Sequence, residues 1–146
     1  MRQPPRSLAA VLLAGALLAG CSSADPAAQD LCARYDDLKS AVGDLEAAPR
    51  LDTTDAAAVQ KQADALRLQA DKVRDTLDQV QRVSEGRLDT MIANARLSVD
   101  AMRESLIVAR YDAAETLGPK ITEAQANLRQ AYAPLASALD AQCSTS

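Results

Sequence analysis

The chain has no histidine, no tryptophan and no phenylalanine in 146 residues, and each absence closes off a class of function. Without imidazole there is no side chain that ordinarily titrates near neutral pH, no His-ligated zinc and no haem axial histidine. The di-iron site of helical carboxylate proteins needs inward-facing Glu-x-x-His pairs, which this chain lacks. Its three cysteines form no Cys-x-x-Cys, so a thioredoxin-like pair and c-type haem attachment are also excluded. Beyond residue 20 the only glycines are Gly43, Gly86 and Gly118, too scattered to build a phosphate-cradling loop. We therefore expect no catalytic residues, no metal site and no cofactor. Basic residues are outnumbered, 16 Lys and Arg against 20 Asp and Glu, and an acidic chain is a poor partner for nucleic acid. Aromatic rings come only from Tyr35, Tyr111 and Tyr132, so the core must be built from Leu, Val, Ile, Met and Ala.

Long apolar runs are scarce too, with one exception at the start. Leu8 to Ala19 is an unbroken stretch of Leu, Ala and Val with one Gly, preceded by Arg2 and Arg6 with no acidic residue. Spanning a bilayer takes about 20 apolar residues, so this run is too short, but it matches a signal-peptide h-region. Polar Ser22, Ser23 and Asp25 close it. The run ends in Leu18-Ala19-Gly20-Cys21, and here the chain resembles a bacterial lipoprotein precursor, matching the lipobox of that class at each position. The resemblance covers residues 1–21 only. It implies cleavage between Gly20 and Cys21 and a thioether-linked diacylglycerol on Cys21, with fatty acids such as palmitate. Two or more acyl chains anchor stably where one is marginal. It further implies export and anchoring at the outer face of the cell membrane. In a bacterium with two membranes, Ser22 in place of Asp implies the outer membrane. The expected organisation is a cleaved signal at 1–20, a lipidated tether at 21–25, a helical domain at 26–143 and a polar tail at 144–146. Without Arg2 and Arg6 the remainder carries 14 basic and 20 acidic residues, a formal charge of −6.

The rest of the chain has helical periodicity throughout. Asp25-Pro26 is an N-cap followed by a first-turn proline. Leu31, Tyr35, Leu38, Val42 and Leu45 then recur at alternating spacings of four and three, and Pro49 stops the helix near Ala48. A second start falls at Thr54 or Asp55, followed by Val59, Ala63, Leu66, Ala70, Val73, Leu77 and Val80. The pattern lapses at Ser84-Glu85-Gly86. A third stripe runs through Leu88, Ile92, Ala95, Val99, Met102, Leu106, Ala109 and Ala113, with Leu117 flanking its end. Gly118-Pro119 signals a stop and a new start. The fourth stripe is Ile121, Ala124, Leu128, Ala131, Leu135 and Leu139. A glycine inside a helix costs only about 1 kcal/mol, so residues 55–117 could also form one rod.

Four consecutive helices with a seven-residue apolar repeat predict an all-α fold, an antiparallel up-down four-helix bundle. In that arrangement the start of the first helix and the end of the fourth share one end, where Cys32 and Cys143 fall. In an oxidising compartment the two form an even pair, and we expect a disulfide that joins the ends. Central helices of about 30 residues against outer ones of about 24, at 1.5 Å per residue, would carry the Gly86 hairpin roughly 9 Å past the disulfide end.

Two features stand outside this frame. Leu97 and Val108, 11 residues apart and separated by Ala101, lie off the core stripe of the third helix with Ile107 beside them and Glu104 interrupting, a candidate surface for an envelope protein or a second copy. Pro134 interrupts the fourth helix by removing an amide and crowding the carbonyl of Gln130. Its bend either opens a ligand pocket lined by Tyr132, Leu135 and Tyr35 or steers Cys143 onto Cys32. Asp71, Asp75 and Asp78 read as a solvated flank, with Asp78 and Arg82 spaced for an exposed pair. The function expected is a non-enzymatic, lipid-anchored interaction or accessory module, with a small-ligand or lipid-binding module as the alternative.

Overall fold

A computed structural model describes residues 25–49, 55–108 and 114–144. They form four helices: α1 (Pro26–Glu46), α2 (Ala56–Val83), α3 (Asp89–Val108) and α4 (Ala114–Cys143). Sequential helices pack as neighbours and α4 returns beside α1, giving an all-α antiparallel four-helix bundle with no strand among the described residues. Gly20 and Cys21, with the rest of residues 1–24, lie outside the described residues, as do Ala109 and Ala113.

Local chemistry sets the helix boundaries. The Asp25 carboxylate accepts from the Ala27 amide at 3.1 Å, with Pro26 pre-set in the first turn. Asp55, the second of the two candidate starts, caps α2 in the same way through Ala57 at 2.9 Å. Gly86 does break the chain into two helices. Glu85 and Gly86 take φ values of 52° and 79°, and two successive left-handed residues reverse the backbone. Ser84, 1% exposed, is satisfied there because its hydroxyl donates to the Gln81 carbonyl at 3.1 Å.

One helix boundary differs from the expected one. The fourth helix starts at Ala114, so Gly118-Pro119 does not separate α3 from α4 but lies inside the first turns of a 30-residue helix. An interior proline costs about 3 kcal/mol, yet Leu117 and Ile121, one turn apart on either side of it, are both buried. Burying those two side chains holds the helix through Pro119. Leu117 is accordingly a core residue of α4, not the flank of α3. Arg34 donates to Gln79 at 3.2 Å, and Asp30 lies beside Arg82 and Val83, so the end of α2 stands level with the first turns of α1.

Among the described residues the buried core is aliphatic apart from Tyr35, Met102, Thr76 and Ser84. Every described residue of the four apolar stripes is buried except Ala131, which is half-buried. Ala41 and Thr76 join the core, the Thr76 hydroxyl donating to Val73 O at 2.9 Å. Gly43 is an exposed position inside α1, and a Cβ built there meets nothing within 4 Å. Gly43→Ala should therefore stabilise the bundle by about 0.5–1 kcal/mol, by removing backbone freedom from the unfolded chain. Thermal unfolding would register this as a rise of about 3–5 °C; an unchanged or lower midpoint would contradict the helix placement.

Candidate functional site

The disulfide forms where the bundle topology requires. Cys32 and Cys143 are 111 residues apart in sequence and 5.6 Å apart at Cα. Both are half-buried, at the same end as the start of α1. Pro134 does not break α4, which continues nine residues further to Cys143.

The pocket expected around Pro134 is not formed from Tyr132, Leu135 and Tyr35. Leu135 is fully buried and Tyr35 is 2% exposed, both packed in the core. The Tyr35 hydroxyl points between α1 and α4, 2.8 Å from Asp140 Oδ1 and 3.2 Å from Ala136 O. Lys39 stands 4.3 Å over the Tyr35 ring and 3.4 Å from the same Asp140 oxygen. Burial, then the bond to Asp140, holds the Tyr35 phenol well above the ordinary range. In return the Tyr35 hydroxyl, and more weakly Lys39, holds the Asp140 carboxyl below its usual value. Tyr132 neighbours Tyr35, and burial raises its pKa too. The Tyr132 hydroxyl is enclosed without a hydrogen-bond partner among the described residues. The cluster ties α1 to α4.

Among the described residues, charged side chains form complementary pairs across three of the four seams. Between α2 and α3, Arg74 meets Asp100 at 3.4 Å, Arg103 meets Asp71, and Arg96 meets Asp78. Asp78 thus turns to Arg96 and forms no ion pair with Arg82, because the cross-helix site is less exposed and more weakly screened than one facing solvent. Between α1 and α2, Lys72 meets Asp44 at 3.2 Å. Between α4 and α1, Arg129 meets Glu46 at 3.0 Å and Lys39 meets Asp140.

The α3–α4 seam differs. Its outer side is a groove of about 950 Å³. On the α3 wall are Leu97, Ala101 and Val108, the three residues nominated from sequence, with Glu104 among them. Leu97 is 68% exposed and Val108 40% exposed. The α4 wall is Lys120, Glu123, Asn127, Gln130 and Pro134, over a floor that includes Ala124 and Ala131. Pro134 therefore does line an open space, between α4 and α3 and without Tyr132, Leu135 or Tyr35. Because Pro134 has no N–H, the Gln130 carbonyl lacks its usual helical donor beside this groove. The α4 wall was not nominated from sequence. Its signal was the three-and-four spacing of 120, 123, 127, 130 and 134, a second face beside the core stripe.

Among the described residues, no group of three or more cysteine or carboxylate side chains converges closely enough to hold a metal ion. No described helix is long and apolar enough to cross a membrane. Comparison with protein families, curated proteins and solved structures found no match to this chain.

Proposed function

We propose that the chain is the precursor of a lipid-anchored envelope protein whose helical bundle is a non-enzymatic interaction module. The observation that carries this reading is the Leu18-Ala19-Gly20-Cys21 box, ending an apolar run of signal-peptide length behind Arg2 and Arg6. Two further points support it. Asp25, which caps α1, lies four residues after Cys21, so lipid on that cysteine would tether the disulfide end of the bundle next to a bilayer. A disulfide of this kind persists in oxidising compartments outside the cytoplasm. The exposed apolar residues of the α3–α4 groove supply the surface for a partner.

The test is Cys21→Ala in the full-length chain. Metabolic labelling with a fatty acid should mark the native protein in the membrane fraction and leave the variant unlabelled. Equal labelling of both would refute the anchor.

A further inference from the structure

We infer that the α3–α4 groove is the seat of an amphipathic helix from another exported protein, one carrying a Lys or Arg in the middle of its apolar face. This rests on the reading of the chain as an exported interaction module and names the chemistry of its partner.

The inference starts from charge. The other three seams of the bundle set carboxylates against Arg or Lys. The α3–α4 groove instead presents Glu104 from one wall and Glu123 from the other. The helices run antiparallel, with Asn94 and Pro134 at one end of the groove and Val108 and Lys120 at the other. Glu104 and Glu123 thus line the groove from opposite walls, with Lys120 one turn from Glu123. Both are exposed, and neither forms an ion pair among the described residues. Two like charges facing each other across a groove are unfavourable unless a cation comes between them. The occupant that suits them supplies that cation.

Shape says the occupant is a helix. The groove runs along α3 from Asn94 to Val108, about 21 Å or four helical turns. Ser98, Ala101 and Ser105 on α3, with Ala124 and Ala131 on α4, keep its floor short. A third helix can therefore approach two others closely, in the helix-in-groove mode. Leu97 and Val108 flank the charged centre as apolar anchors three turns apart. The Gln130 carbonyl, to which Pro134 cannot donate, adds an acceptor for a polar donor on the incoming helix.

A second copy of this chain does not satisfy these conditions. Two copies anchored in one leaflet stand parallel, and a two-fold axis between their α3 helices would set Glu104 against Glu104. The chain is acidic overall, so a copy brings more negative charge to the site.

The experiment places a photoreactive amino acid at Leu97 or Asn127, and at the exposed Leu68 of α2 as a control, in the full-length protein expressed in its own host. The expected result is an adduct with one exported protein from the two groove positions and none from Leu68. The crosslinked peptide should carry apolar residues at helical spacing around a Lys or Arg. Glu104→Lys with Glu123→Lys should reduce that adduct by about tenfold or more, and exchanging the partner's basic residue for Glu should restore it. Both glutamates are exposed and form no ion pair among the described residues, so the variant should keep its helical circular dichroism and melting temperature; Glu104→Gln with Glu123→Gln serves as a milder version. An adduct indifferent to charge reversal would overturn the inference and leave the interaction module standing. An adduct between two copies of the chain would overturn it in favour of a dimer. No groove adduct from a protein still lipidated at Cys21 would overturn both the inference and the interaction role, leaving the anchor intact.

Discussion

Replacing Cys32 and Cys143 together by serine should lower the stability of the bundle by about 4 kcal/mol and its melting temperature by about 15 °C. The disulfide closes a loop of 111 residues, nearly all of the described domain. In the chain-entropy description, most of its effect falls on the unfolded state, whose ends it forbids to separate. Both positions are half-buried, so serine leaves no large cavity and the folded state changes little. The signature should therefore be a steeper denaturant dependence as well as an earlier midpoint, because the freed unfolded chain exposes more surface. A loss below about 1 kcal/mol would mean that the bridge does not constrain the unfolded ensemble as the loop length requires.

Tyr35→Ala should cost nearly as much, about 3–5 kcal/mol, by emptying the one aromatic site in the core. Tyr35→Phe separates packing from polarity. It keeps the ring and removes the bond to Asp140, so about 1 kcal/mol is expected at neutral pH. The pH dependence identifies the pair. The Asp140 pKa is lower folded than unfolded, so its contribution is present above the ordinary value of 3.8 and is lost as pH falls through the depressed folded value. Tyr35 is raised, so its contribution is complete below pH 10.0 and declines as pH climbs from there toward the folded pKa. Stability of the native protein should thus fall at both extremes, and Tyr35→Phe should make both limbs shallower. Tyr132, raised by burial as well, keeps part of the alkaline limb in the variant. Identical pH profiles for the two proteins would contradict the Tyr35–Asp140 bond.

The core was legible because helical burial is periodic. Leu38, Val73, Leu77, Ile92 and Leu139 are all fully buried, and each lies on a stripe of spacings three and four. Punctuation was less dependable. Gly86 and Pro119 both signal an end, but only at Gly86 does the backbone turn. At Pro119 the burial of Leu117 and Ile121 overrides the local signal, a balance visible only once the neighbouring helices are in place. The cross-helix ion pairs were illegible for a related reason. Asp78 lies four residues before Arg82 in sequence, but its partner Arg96 depends on the register of α2 against α3. Half of the groove was readable, since Leu97 and Val108 are large apolar residues off the core face. Lys120, Glu123 and Asn127 read as any solvated surface does. They become a wall only because α4 packs beside α3.

The disulfide, the Tyr35 cluster and the seam ion pairs hold the bundle together. Everything proposed about its role depends on what Cys21 becomes. Mass spectrometry of the protein purified from its own envelope measures this directly. The account predicts a mature chain that begins at Cys21, carries the mass of a diacylglycerol with or without a further acyl chain, and retains the Cys32–Cys143 bridge. A mature chain that still contains Met1, begins at another residue or carries an unmodified Cys21 would contradict it.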